Sequence, residues 1–196
     1  MATELELKAV VPDVAALRQR LRVAGAELSF SGLMHDRRYD HDGALASRDE
    51  VLRVRTFAAR DLPPRIVLGW KGPVSRSSAG YKQREELECQ CTGASPAEIL
   101  AHLGYTVVHA IDRWVDQFAL SDTMIRIETY PRMDTLVEVD GAAGAIEAAI
   151  GLTGIPRADF TAESLDAFVK RFEQRTGGSA ALGAEGLLPE ELPWPA

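Results

Sequence analysis

Charged residues at every second position of short apolar runs constrain this chain more than any other feature. The first run is Glu4-Leu5-Glu6-Leu7-Lys8. In a β-strand, side chains of one parity share one face. Glu4, Glu6 and Lys8 therefore point one way, while Leu5 and Leu7 back onto an apolar layer. The same alternation recurs at Arg53 and Arg55, at Lys71 after the run Ile66 to Trp70, and at Arg84, Glu86 and Glu88. It returns at Arg113 between Ile111 and Val115, at Arg126 and Glu128, and at Glu138 and Asp140.

One such strand is the ordinary solvated face of an antiparallel sheet. Seven such segments are harder to assign to solvent alone, because a solvated face also accepts Ser, Thr and Gln, and here the alternate positions are heavily Glu, Arg and Lys. The pattern predicts an α+β fold: an eight-stranded antiparallel sheet closed into a β-barrel, flanked by helices. Closure turns one face into a lumen. A lumen that holds charges must be wide, wet and paired with ligands, since buried unpaired charge is prohibitive.

The candidate lumen cations are Lys8, Arg53, Arg55, Lys71, Arg84, Arg113 and Arg126. The candidate acids are Glu4, Glu6, Glu86, Glu88, Glu128, Glu138 and Asp140. Such a balanced set would also suit a self-paired network. The two signs are nevertheless unevenly spread. The first and last strands carry acidic pairs, which suit a hard cation with oxygen ligands such as Mg²⁺ or Mn²⁺. The strands holding Arg53, Arg55 and Lys71 are purely basic, which suits phosphate oxygens. A metal bridging the acids to a polyphosphate would satisfy both sets. No P-loop is present, so the phosphate cradle would be built of side chains.

At 196 residues the chain is long enough for one domain with a real core. The net charge of -7 argues against a general nucleic-acid partner, though not against a local cationic cavity. No apolar run reaches the length of a membrane span and no leader is visible, which points to the cytoplasm and to no membrane partner. Cys89 and Cys91 lie two apart on one strand, a poor geometry for a mutual disulfide, and read as free thiols beneath a helix. None of the four histidines is spaced as a ligand pair.

Strands are expected near 3–10, 26–40, 51–57, 65–72, 81–91, 105–120, 124–130 and 134–141. Pro12-Asp13 opens a first helix that ends near Gly25. Ser95, Pro96 and Glu98 read as a capping box for a short second helix ending at Gly104. Helices at 143–153 and 161–175 follow, the latter capped by Thr161, with Leu165, Phe168, Val169 and Phe172 as its apolar stripe. Residues 1–175 form the domain. The tail 176–196 is rich in Gly, Ala and Pro and reads as flexible, with Leu and Trp anchors that would dock on the domain or on a neighbouring chain.

These segments resemble the CYTH superfamily, the triphosphate tunnel metalloenzymes. That group includes class IV adenylyl cyclases, thiamine triphosphatases and inorganic triphosphatases. Glu4-Leu5-Glu6-Leu7-Lys8 matches its ExExK signature. Asp36 to Asp40, Leu52-Arg53-Val54-Arg55, Trp70-Lys71-Gly72-Pro73, Arg84 to Glu88 and Leu136-Val137-Glu138-Val139-Asp140 agree in order, so the resemblance covers roughly residues 3–175. It implies a tunnel that binds a triphosphate lengthwise with divalent metals. By position, Glu4, Glu6, Glu138 and Asp140 would form the metal wall, with Glu88 and Glu128 as further ligands. Lys8, Arg53, Arg55, Lys71, Arg84, Arg113 and Arg126 would bind phosphate, with Lys8, Arg55 and Lys71 at the reaction.

The chain departs from the family pattern at Ile111, where a Lys is usual, and at Asp140, where a Glu is usual. Tyr130 to Asp134 stands in place of a Gly-rich turn. The implied substrates are tripolyphosphate, thiamine triphosphate or ATP, and a homodimer is compatible. In a hydrolase, water attacks the terminal phosphorus. In a cyclase, the ribose 3′-hydroxyl attacks the α-phosphorus and pyrophosphate leaves. A module that binds polyphosphate without turnover is the third reading. Hydrolysis is preferred because no base-binding pocket is recognisable.

Overall fold

The computed structural model describes residues 5–60, 62–76, 82–93, 95–188 and 191–194. Glu4 lies outside them. Eight strands form an antiparallel sheet: β1 (Leu5–Val10), β2 (Glu27–Asp40), β3 (Val51–Ala59), β4 (Arg65–Lys71), β7 (Glu86–Cys91), β8 (Thr106–Leu120), β9 (Thr123–Thr129) and β10 (Leu136–Gly141). Their hydrogen-bonded order is β1-β10-β9-β8-β2-β3-β4-β7. The short strands β5 (Ser75–Arg76) and β6 (Lys82–Gln83) pair separately. The order begins and ends on different strands, and among the described residues no pairing joins β7 to β1. The expected eight-stranded antiparallel sheet is therefore present, without barrel closure in its hydrogen bonds.

The chain divides into two compact units. The first holds Gly32–Asp112; the second holds Leu5–Ser31 and Arg113–Ala196. In the second unit, β1 pairs with β10, β10 with β9, and β9 with β8. Leu7, Ala9, Ile125, Ile127, Val137 and Val139 share one face and are buried. Helices α1 (Val14–Val23) and α3 (Ala143–Thr153) supply the other side of this layer: α3 touches β1, β9, β10 and α1. Each fully buried Val, Leu or Ile contributes about 1.5–3 kcal/mol. Asp13 caps α1 by accepting the Ala16 N–H at 2.9 Å, and Leu17 and Leu21 form its buried stripe.

In the first unit, β2, β3, β4 and β7 pair in succession. Helix α2 (Pro96–His102) covers the apolar face, where Leu100 packs with Tyr39 and Val54 against Leu52, Ile66 and Leu68. Each unit thus has one face sealed by helices and one left to the charges.

Three expectations change. The last helix, α4, spans Leu165–Thr176 and begins after Ser164, not Thr161. Thr161 instead exchanges two 2.9 Å backbone hydrogen bonds with Lys8, which takes it out of any helix and onto the edge of β1. The single strand expected near 81–91 is β6 and β7, with Arg84 between them, because Gly72 and Glu85 hydrogen-bond across a break in the pairing. Cys89 and Cys91 are free, but Cys89 is exposed and not covered by a helix. After α4 the chain returns to Arg132, which exchanges backbone hydrogen bonds with Ala181 at 2.8 and 3.1 Å. Among the described residues no helix is long and apolar enough to cross a membrane.

Candidate functional site

The charged face of the second unit follows from register. Glu6 stands opposite Asp140, and Lys8 opposite Glu138. Glu138 stands opposite Arg126, and Arg126 opposite Gln117. Directly opposed residues share a face and lie within side-chain reach. Lys8 Nζ sits 3.0 Å from Glu6 and 2.7 Å from Glu138. Arg126 donates to Glu138 at 2.5 Å and also to Asp140. Oxygens of Glu6, Glu138 and Asp140 all lie within 4.8 Å of one another.

These groups set each other's ionisation. Burial would raise the Glu138 pKa, but Lys8 and then Arg126 outweigh it and hold the carboxyl well below its ordinary value. Burial would lower the Lys8 pKa, but Glu138 and Glu6 hold it above its ordinary value. Lys8 and Glu138 are therefore both charged across the neutral range.

Glu128 and Arg113 belong to the same face of the same unit but to a separate set of contacts. Glu128 accepts from Arg113 Nε at 2.9 Å and from the Tyr130 hydroxyl at 2.5 Å. Burial, then the Glu128 charge, raises the Tyr130 pKa well above the ordinary phenol value. Tyr130 escaped the sequence reading, which saw it only as a turn residue. Ile111, at the position where the resemblance expects a Lys, is buried core in the first unit.

The first unit has its own cluster. Arg53 faces Gly69 and Gly69 faces Glu88, while Lys71 faces Glu86. Glu88 accepts from Arg53 at 3.1 Å and also from Arg55. Burial would raise the Glu88 pKa, but Arg55 and Arg53 outweigh it and lower it. Lys71 pairs with Glu86. A Cβ at Gly69 would meet Glu88 Oε1 at 3.3 Å and Arg53 Cγ at 3.6 Å, so the missing side chain gives these two groups room to meet. Buried Asp36 and partly buried Arg38 stand opposite Arg55 and Arg53 on the same face. Both were overlooked as site members. Arg53 Nε is buried and has no hydrogen-bond partner among the described residues. Arg84 is held elsewhere, with Nε donating to the Gly72 carbonyl at 2.5 Å and its terminal nitrogen to Asp49.

On the helix-covered side of β8 in the second unit lies a cavity of about 360 Å³, lined by Arg18, Trp114, Asp116, Phe118 and the tail residue Trp194 among others. Buried Asp116 accepts from Arg18 Nε and Ser31 Oγ, each at 2.6 Å, and from Trp114 Nε1 at 3.2 Å.

No family model matches the sequence, and no curated protein matches it. Solved structures do match. A candidate adenylate cyclase from Vibrio parahaemolyticus superposes with a TM-score of 0.71 at 17% identity, over 85% of this chain and 97% of that one. A candidate adenylyl cyclase from Hippeastrum, HpAC1, described as revealing a dominant triphosphatase activity, superposes with a TM-score of 0.59 at 17% identity, over 98% and 100%. A chain of the Schizosaccharomyces pombe Mediator head module superposes with a TM-score of 0.54 at 14% identity, over 92% and 97%. The chain shares the fold of these solved structures.

Proposed function

We propose that this protein is a metal-dependent phosphohydrolase acting on a triphosphate, held in the closed tunnel that the alternating strands lead one to expect. The observation that carries the proposal is the convergence of Glu6, Glu138 and Asp140 within 4.8 Å beside Lys8 and Arg126. The donor set fits the ion. Three hard carboxylate oxygens at that spacing suit Mg²⁺ or Mn²⁺, whose octahedral ligands lie about 3–4 Å apart, and offer no soft ligand for zinc. Glu6, Glu138 and Asp140 would hold the ion. When bound, it would supply charge neutralisation and Lewis acidity.

The chain's own residues would do the rest. Lys8 and Arg126 keep Glu138 ionised and hold the three carboxylates in place. Arg53, Arg55 and Lys71 offer a dense set of donors for phosphoryl oxygens. The buried Nε of Arg53, without a hydrogen-bond partner among the described residues, is a donor of the kind an anionic oxygen satisfies. Stabilising charge on the equatorial oxygens is the main demand of phosphoryl transfer.

Hydrolysis is favoured over cyclisation by the makeup of the charged face. In the second unit its uncharged members on β8, β9 and β10 are Val115, Gln117, Ala119, Met124 and Leu136, none with a ring to stack a base, and the ring just beyond β9, that of Tyr130, is buried and tied to Glu128. The Mediator match supports a binding module as the remaining reading, since the same fold occurs there.

The test incubates the protein with tripolyphosphate, thiamine triphosphate and ATP, each with Mg²⁺ and with Mn²⁺. Released orthophosphate is expected. Cyclic AMP with pyrophosphate would replace the hydrolase by a cyclase, and binding without product would leave a module.

A further inference from the structure

Arg113 is fixed by a closed loop of contacts. Continuing the β8–β9 register places it across from Tyr130 and diagonal to Glu128. Its Nε donates to one Glu128 oxygen at 2.9 Å, and the Tyr130 hydroxyl donates to the other at 2.5 Å. Its guanidinium carbon lies 5.9 Å from the centre of the Tyr130 ring. All three residues are buried, Glu128 to 2% and Tyr130 to 2% exposure. Both carboxylate oxygens of Glu128 are engaged by this chain's own donors, as are those of Glu138, but Glu128 lies outside the group of carboxylates whose oxygens come within 4.8 Å of one another. A guanidinium gripped at Nε loses its rotation, and its planar fork is pre-oriented for an oxyanion.

We propose that Tyr130 and Glu128 are positioning residues that aim Arg113 at a phosphoryl oxygen, and that Glu128 is not a metal ligand. The proposal rests on the triphosphate reading above for its ligand. It separates Glu128 from Glu6, Glu138 and Asp140, although all four lie on one charged face. Misplacing such a group by about 1 Å is enough to cost about a hundredfold in rate.

The experiment compares Tyr130→Phe, which keeps the ring and removes the hydroxyl, with Glu128→Gln, Arg113→Lys and the double variant Arg113→Lys/Tyr130→Phe. With tripolyphosphate and Mn²⁺, Tyr130→Phe should raise KM about tenfold while kcat stays within about twofold, the loss expected of one charge-assisted hydrogen bond. In the Arg113→Lys background the same change should add nothing further, because the two act as one unit. An equal tenfold loss in both backgrounds would overturn the relay, as would a lower melting temperature with KM and kcat unmoved.

Mn²⁺ binding, read by electron paramagnetic resonance without substrate, should stay within about twofold in Glu128→Gln. A tenfold weakening would overturn the exclusion of Glu128 from the metal set. The Arg113 Nε–H resonance, assigned by its loss in Arg113→Lys, should shift in Tyr130→Phe and broaden in Glu128→Gln. An unchanged resonance would overturn the relay. This arm needs no substrate, so a wild-type protein that ignores tripolyphosphate defeats the triphosphate reading and leaves the relay to be decided by the spectrum.

Discussion

The two charged clusters are written in the same alternating code and differ in how firmly they are held. In the second unit, the Glu138 and Asp140 side chains are 12% and 5% exposed, and Glu138 is gripped by both Lys8 and Arg126. In the first unit, Glu88 is 38% exposed, projects from the last strand of the hydrogen-bonded order and bridges Arg53 and Arg55. A carboxylate buried between two cations cannot leave without stranding charge. One that is half in water is screened, and its contacts contribute little net stability. The lesson is that burial locks one cluster in place, while exposure leaves the other loosely held at the last strand of the hydrogen-bonded order.

The sharpest way to break this contrast is Glu138→Gln. Metal-dependent phosphate release should fall by about a hundredfold or more, and the melting temperature should fall as Lys8 and Arg126 lose a shared counter-ion. Full activity in that variant would remove the metal-wall assignment. Next in size is Arg55→Ala, which should raise KM for a triphosphate about tenfold or more while leaving Mn²⁺ binding in calorimetry unchanged. An unmoved KM would take Arg55 out of the phosphate set.

The pH dependence of stability sharpens the comparison from another side. Glu138 has a depressed folded pKa, so its contribution is complete above its ordinary 4.5 and is lost as the pH falls through the depressed value. Lys8 has a raised folded pKa, so its contribution is complete below 10.5 and is lost as the pH rises through the raised value. Melting curves of the metal-free protein should therefore show no titration of this cluster between about pH 5 and 10; a step there would contradict the pairing. The smallest effect is expected of Glu88→Gln, at under about 1 kcal/mol in denaturant unfolding. A larger loss would make the two clusters alike.

Much of this was legible in the chain. Alternation identified the strands and the parity of nearly every charged site residue, because a half-buried strand imposes a period of two. Asp36 and Arg38 were obscured by Arg37 between them, since three successive charges hide which parity faces inward. Its neighbour His35 and Arg37 itself turn to the other side and bind Asp112. Tyr130 was hidden because its role depends on a partner strand. The start of α4 was misread because Thr161 is a good cap in isolation, and only the edge of β1 offers it something better. Propensity is local, while pairing of this kind spans over a hundred residues and leaves no mark in a window of ten.

The cavity beside Asp116 has a practical corollary for spectroscopy. The chain has three tryptophans, and two of them, Trp114 and Trp194, line that cavity. One belongs to the sheet and the other to the tail. Ultraviolet emission from this protein therefore carries a large contribution from the seam where the tail lies against β8. A change in that emission on adding a triphosphate would be a signal from the sheet's reverse side, and quenching experiments should be interpreted as a gauge of tail seating before they are taken as a measure of ligand binding.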